Sequence, residues 1–295
     1  MNILIIGSNG FIGKSLYNHL SSFYNVYGVD VVESNQKNFS QINSISEIEN
    51  LEGINSFDFI INASGSTDVK RSNELPLNDF EKNTLNVYEI LSIIKVKNPE
   101  SKFINISSGA VYGNKNSAAI ETDKLNPVST YGFNKKMAEN ICEHFYNQFK
   151  ISSYSLRIFS AYGPGLKRQL FWDLYIKSLK TNQIELYGDS TDYRDFIYID
   201  DICQFIKIII DKNISGYHVF NLSSGMLTTI ESAVKSFCNI LDKNLKYSFS
   251  GNSLQGYPKG VFGDISKAKK IGFVPKYTLE QGLKKTIEWI KEQKQ

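Results

Sequence analysis

The sequence predicts an α/β protein built on a doubly wound parallel sheet, with a smaller, mixed lobe toward the C-terminus. Three observations carry this. Short apolar runs recur from the N-terminus to residue 222, amphipathic helical patterns separate them, and a glycine-rich turn joins the first run to the first helix. A strand covered by helices on both faces needs apolar side chains on both, so it reads as a continuous apolar run. Strands alternating with helices at this spacing describe parallel strands joined by crossover helices.

Taken in order, Ile3-Leu4-Ile5-Ile6 is the first strand, and Gly7-Ser8-Asn9-Gly10-Phe11-Ile12-Gly13 turns the chain into a helix running through Leu20. Residues 25–30 form the second strand, ending on Asp30. Further strands are expected over 57–62, 102–107, 153–159 and 217–222, and helices over 79–97 and 131–150. Beyond residue 160 the alternation weakens, and segments 160–195 and 225–275 are rich in Gly, Lys and aromatic residues. The expected division is a sheet domain of residues 1–160 plus 196–225 and a lobe of residues 161–195 plus 226–295.

Composition narrows the functional classes. Of 295 residues, 41% are hydrophobic and 21% charged, which excludes a disordered chain, a collagen-like repeat and a coiled coil. The 33 Lys and Arg against 30 Asp and Glu give a net charge of +3. They are spread along the chain instead of gathered on one face, so no nucleic-acid partner is expected. Cys142, Cys203 and Cys238 include no CxxC pair, which argues against a disulfide framework or a zinc site and for a reducing cytoplasm. His19, His144 and His218 lie far apart without metal-ligand spacing, so no metal is expected. The run from Ile3 to Ile6 is too short for a signal-peptide core. Lys207 interrupts the apolar stretch of residues 205–210, and no membrane association is expected.

Gly7, Gly10 and Gly13 lie between a strand and a helix, where missing Cβ atoms allow a sharp turn and let backbone approach a pyrophosphate at the helix N-terminus. Asn9, Phe11 and Ile12 complete the same cofactor turn. Asp30, at the end of the second strand, is placed to accept bonds from adenosine ribose hydroxyls, and Val31, Val32 and Glu33 supply no cation for a 2′-phosphate. NAD is therefore favoured over NADP. The competing reading of Asp30 is a solvated strand-end charge.

Tyr131 and Lys135 stand one helical turn apart and share a face. A neighbouring cation favours phenolate, so the pair suits acid/base work near neutrality. Ser107 and Ser108 end the strand at 102–107, on the side of a parallel sheet where ligands bind.

Together these motifs resemble the extended short-chain dehydrogenase/reductase family of NAD-dependent nucleotide-sugar epimerases, dehydratases and reductases. The resemblance runs through the glycine turn, Ser107-Ser108-Gly109-Ala110-Val111-Tyr112-Gly113 and Asn126-Pro127-Val128-Ser129-Thr130-Tyr131-Gly132. It continues in Leu156-Arg157-Ile158-Phe159-Ser160-Ala161-Tyr162-Gly163-Pro164-Gly165 and Arg194-Asp195-Phe196-Ile197-Tyr198-Ile199-Asp200-Asp201. The C-terminal match is Asp264-Ile265-Ser266-Lys267-Ala268 with Gly282 to Trp289. It implies a Rossmann-type sheet, with Tyr131 as acid/base at sugar C4 and Lys135 on the nicotinamide ribose. Ser108 would bond the same sugar oxygen, Ser107 would face the cofactor, and Asn62, Ala63, Ser64 and Asn83 would line it. Arg194 would grip the diphosphate, its other reading being a salt bridge to Asp195 or Asp200. Tyr187 would wall the nucleobase or belong to the lobe core, and Ser160 stands where an asparagine is common.

Two departures refine the implied activity. Dehydratases of this group carry an Asp-Glu pair after the catalytic hydroxyl residue, where this chain has Gly109 and Ala110. Galactose-type epimerases have an Arg and an Asp at positions corresponding to Leu254 and Tyr257, with Lys259 nearby. The implied function is an NAD-dependent 4-epimerase acting on a nucleotide-diphosphate sugar. The alternatives are a 4-keto-sugar reductase and a non-catalytic NAD-binding sensor. Relatives dimerise through the helices here placed at 79–97 and 131–150, so a homodimer is implied.

Overall fold

A computed structural model describes residues 1–241, 245–251 and 259–293. Seven strands form the central sheet: β1 (Asn2–Ile6), β2 (Asn25–Asp30), β3 (Phe39–Gln41), β4 (Phe59–Asn62), β5 (Lys102–Ser108), β6 (Ser153–Ile158) and β7 (Tyr217–Leu222). Their spatial order is β3-β2-β1-β4-β5-β6-β7 and every neighbouring pair is parallel. The order reverses between β1 and β4, and in such sheets the ligand crevice opens beyond the strand carboxyl ends at that reversal.

The apolar run of β1 divides as its pleat dictates. Ile3 and Ile5 enter the core on one face, with Phe59, Ile61, Ile104 and Leu156. Leu4 and Ile6 enter the core on the other, with Val29, Ile60, Phe103 and Ala138. Burial on both faces is why this strand carries no alternation.

Most expected elements stand within one or two residues of their places. The strand expected from 57 begins at Phe59, because residues 54–56 wind into a 3-10 turn that carries Phe57 into the core. The short edge strand β3 had no apolar run to announce it. The helix expected over 79–97 is three segments: an α-helix Pro76–Phe80, a π-helical turn Glu81–Leu85, and an α-helix Asn86–Lys97. The π turn carries one residue more per turn than an α-helix. Here it buries Asn83 and Thr84, and Thr84 Oγ1 donates to the Asn134 carbonyl of the neighbouring helix at 3.0 Å.

That neighbour, Thr130–Phe149, starts on Ser129, whose hydroxyl accepts from the Gly132 amide at 3.1 Å, and stops at Lys150 with φ 60°. Past β6 the chain builds small sheets. Ser160–Tyr162 pairs in parallel with Phe196–Tyr198, and Gln183–Leu186 with Lys246–Phe249. Tyr193–Arg194 lies between Thr228–Thr229 and Gly260–Val261. Among the described residues, no helix is long and apolar enough to cross a membrane.

Candidate active site

The glycine turn closes tightly on the end of β4. Gly7 has φ 80°, and a Cβ there would lie 2.6 Å from the Ser64 amide nitrogen. A Cβ on Gly13 would lie 2.0 Å from the Gly7 carbonyl oxygen, so the helix Phe11–Leu20 (α1) can start against this turn only without a side chain there. Gly10 caps α1 with no side-chain acceptor, and no acidic residue occupies its first turn. The exposed amides and the positive end of the helix dipole thus suit an anionic group. Phe11 and Ile12 pack at the edge of the core, and Phe11 approaches Gly165 from across the crevice.

Asp30 is half-buried at the end of β2. Its carboxylate accepts from the Asn9 amide at 2.9 Å and the Val32 amide at 3.2 Å, while the Asn9 side chain donates to the Val32 carbonyl at 2.6 Å. The glycine turn and the segment after β2 are thereby tied together around one carboxylate. A residue that sequence reasoning passed over, Gln36, adds a second tie by donating to the Ser8 carbonyl at 2.8 Å.

On the other side of the strand-order reversal, Asn62 Oδ1 accepts from the Ser64 amide at 3.1 Å and the Ser64 hydroxyl at 2.6 Å, and Ala63 packs on the core. Asn83 is buried, and its carboxamide nitrogen donates to the Ser66 carbonyl at 3.1 Å and to Asp79 Oδ1 at 3.0 Å. Among the described residues its Oδ1 has no hydrogen-bond partner, and it faces Gly65, whose Cβ would sit 2.6 Å from it. An orphaned acceptor beside a glycine-lined turn, with an uncapped helix N-terminus and a carboxylate at the end of β2, fits a dinucleotide such as NAD.

Ser108, Tyr131 and Lys135 come together at the end of β5. Tyr131 is buried, with the Ser108 hydroxyl among the groups that act on its phenol. Burial dominates its titration and pushes it up to about 12. The Ser108 hydroxyl and Arg168 act to lower it, and Asp79 acts to raise it. Lys135 is buried one turn on. Its Nζ donates to the Ile106 carbonyl at 2.9 Å and stands 5.9 Å from the Tyr131 ring centre. Burial pushes Lys135 down to about 8, against the opposing pull of Asp79 and Glu139. Desolvation, which disfavours the charged form of each, governs both groups, and Lys135 is not among the charges that act on Tyr131.

The Ser107 hydroxyl donates to Glu139 Oε1 at 2.5 Å, since successive strand residues face opposite sides of the sheet and Ser107 points opposite to Ser108. Glu139 is in turn gripped by Arg157 of β6, with Nη2 to Oε2 at 2.7 Å and Nε to both oxygens at 3.1 Å. Arg157 also donates to the Tyr112 hydroxyl at 2.8 Å, which donates to Asn221 Oδ1 at 2.7 Å. This buried network pins the helix of Tyr131 and Lys135 to β5, β6 and β7.

The outlying residues sit along the lobe. Ser160 donates its amide to the Asp195 carbonyl at 2.9 Å, and Tyr187 is exposed. The Arg194 guanidinium donates to the carbonyls of Tyr193 at 2.7 Å and Lys259 at 3.1 Å. The neighbouring Asp195 is engaged elsewhere, accepting from Ser224 and from the Gly225 and Gly263 amides. Leu254 and Tyr257 lie outside the described residues. Arg168, exposed at the start of the helix Gln169–Ser178, had no sequence signal beyond the adjacent basic pair Lys167-Arg168.

The family model described as the NAD dependent epimerase/dehydratase family matches residues 3–223. A putative UDP-glucose 4-epimerase of Methanocaldococcus jannaschii is 27% identical over 311 residues, covering 98% of both chains. Among solved structures, a UDP-glucuronic acid 4-epimerase from Bacillus cereus, in complex with UDP-glucuronic acid and NAD, superposes with TM-score 0.89 at 27% identity. That match covers 99% of this chain and all of the other. A UDP-glucose 4-epimerase from Thermotoga maritima with UDP-glucose gives TM-score 0.90 at 25% identity over both full chains.

Proposed function

Because this chain belongs to the NAD-dependent epimerase/dehydratase family, we propose that it is a 4-epimerase of nucleotide-diphosphate sugars, UDP-hexoses or UDP-hexuronates first among them. The observation that carries this reading is the buried Tyr131 phenol brought together with Ser108 and Lys135 at the carboxyl edge of a sheet whose glycine turn suits NAD. Relatives with these substrates cover nearly the whole chain.

In this reading Gly7, Asn9, Gly10, Phe11, Ile12 and Gly13 hold the pyrophosphate and Asp30 the adenosine ribose. Asn62, Ala63, Ser64 and Asn83 border the dinucleotide, and Lys135 meets the nicotinamide ribose. Bound there, NAD supplies a hydride acceptor and donor and a positively charged ring next to Tyr131. Tyr131 takes the proton of the C4 hydroxyl and returns it to the C4 oxygen, and Ser108 orients that oxygen by a hydrogen bond. Positive charge beside a buried phenol offsets the desolvation that otherwise holds it neutral. Gly109 and Ala110 offer no group to move a proton at C6, so chemistry stays at C4. Ser160, Tyr187 and Arg194 border the nucleotide-sugar, the guanidinium matching phosphate oxygens, and the lobe of residues 161–195 and 226–295 covers it.

We further propose a homodimer formed by the helices Asn86–Lys97 and Thr130–Phe149, whose outer faces leave Tyr88 and Phe133 half exposed. Three buried free thiols fit a reducing cytoplasm.

The test is to identify any dinucleotide retained by the purified protein and to assay UDP-, dTDP-, GDP- and CDP-sugars for C4 interconversion without added cofactor. Interconversion, abolished by Tyr131→Phe with NAD still bound, is the expected result. Turnover only with stoichiometric reduced nicotinamide would replace epimerisation by 4-keto reduction. No turnover of any nucleotide sugar would overturn the reading.

A further inference from the structure

We propose that Asp79 is a positioning residue for the Tyr131–Lys135 pair, supplying the buried negative charge that Lys135 faces and fixing the Asn83 carboxamide at the crevice. This rests on the acid/base reading of that pair.

Asp79 sits in the short helix Pro76–Phe80 and is 3% exposed. A carboxylate so deeply buried is costly unless both oxygens are satisfied. Both are, by neutral amides: Oδ1 accepts from Asn83 at 3.0 Å and Oδ2 from Asn134 at 2.8 Å. Asn134 immediately precedes Lys135, and Asn83 is the residue whose orphaned oxygen faces Gly65. One side chain therefore joins the catalytic helix to the π turn at the cofactor crevice. Thr84, also in that turn, repeats the link through its bond to the Asn134 carbonyl.

Charge balance separates Asp79 from Glu139. Lys135 has two carboxylates near it, Asp79 from the helix packed alongside and Glu139 from its own helix. Glu139 is already matched by the Arg157 guanidinium. Among the described residues, no Lys or Arg forms an ion pair with Asp79. Its field therefore acts on Lys135 and Tyr131 with little cancellation, stabilising the ammonium and opposing phenolate. The other groups facing the pair are Ser108 and Arg168 toward Tyr131, and the thiol of Cys142 toward Lys135, which burial keeps neutral. The bonds do a second task. With its nitrogen committed to Asp79 and to the Ser66 carbonyl, Asn83 can turn only its oxygen to the crevice, ready to accept from a ligand hydroxyl or amide.

The experiment follows the Lys135 titration by NMR with isotope-labelled lysine, the resonance assigned by its loss in Lys135→Met. Asp79→Asn removes the charge at nearly constant volume, and Asp79→Ser repeats the removal with room for a water. Both are expected to lower the Lys135 midpoint by about one pH unit or more, and the alkaline limb of epimerase turnover with it. Asn134→Ala breaks one hydrogen bond without changing charge and should leave the midpoint in place. An unmoved midpoint in both Asp79 variants, or an equal shift in Asn134→Ala, overturns the proposal. Because the titration needs no substrate, inactivity of the wild type on every nucleotide sugar would refute the epimerase reading and leave this result standing.

Discussion

Removing one partner of the Arg157–Glu139 pair is the most demanding test of how the helix of Tyr131 and Lys135 is held. Arg157 is 4% exposed and Glu139 is 3% exposed, and three N–H···O contacts of 2.7 to 3.1 Å join them. Arg157→Leu keeps the β6 side chain apolar and of moderate bulk, but leaves Glu139 with the Ser107 hydroxyl as its remaining side-chain donor. An uncompensated buried charge of this kind costs about 3–5 kcal/mol. A typical domain has only ~5–15 kcal/mol in hand. The double variant Arg157→Leu, Glu139→Leu removes the stranded charge. What remains is the loss of partners for Ser107, for the Glu121 carbonyl and, in part, for Tyr112, which still holds Asn221. Unsatisfied hydroxyls of that sort cost about 1–3 kcal/mol. The double variant should therefore be more stable than the single one. Urea unfolding followed by circular dichroism, with unchanged denaturant slope, measures each step. A single-variant loss below ~1 kcal/mol, or a double variant no better than the sum of its parts, would refute the idea that this pair anchors the helix through charge.

Three further outcomes follow from the site geometry. Gly13→Ala would place a methyl 2.0 Å from the Gly7 carbonyl oxygen, so α1 must shift from the turn. NAD affinity, read by fluorescence titration, should fall by about 100-fold or more, roughly 3 kcal/mol, and unchanged affinity would move the pyrophosphate elsewhere. Asp30→Ala removes the carboxylate proposed above to bond a ribose hydroxyl and to repel a 2′-phosphate. The ratio of NADP to NAD affinity should rise by about 10-fold, and a constant ratio would deny the ribose contact. Lys135, held at about 8 against 10.5 when free, binds fewer protons folded than unfolded between those pH values. Its contribution to stability must then rise with pH across that window, so wild type should gain about 3 kcal/mol on Lys135→Met between pH 8 and 10.5. A flat difference in urea unfolding across the window would mean that the ammonium is not desolvated.

What the sequence disclosed and what it withheld divide along a physical line. β1, the glycine turn, Asp30 and the Tyr131–Lys135 spacing are each decided within one element or one turn, where residue type and period specify geometry. The short strand β3 lacked an apolar run because it is a half-exposed edge. The π turn at Glu81–Leu85 left no trace, since a single added residue shifts a helical pattern by less than the pattern's own looseness. Asp79, Glu139 and Arg157 were invisible for a different reason. In a helical pattern an acidic residue reads as a solvated face, and only tertiary pairing with Asn83 and Asn134, or with Arg157 and Ser107, makes it interior. Ser107 and Ser108 show the limit most sharply. Adjacent and chemically identical, they differ because the pleat sends one to the Glu139 network and the other to Tyr131. The motif thus locates the Tyr131–Lys135 pair, while burial dominates its titration, opposed at Lys135 by Glu139 of the same helix and by Asp79, brought to it from another segment. A chain with the same YxxxK spacing but without those carboxylates would keep the shape of the site and lose the protonated lysine, since desolvation alone drives a buried ammonium toward neutrality.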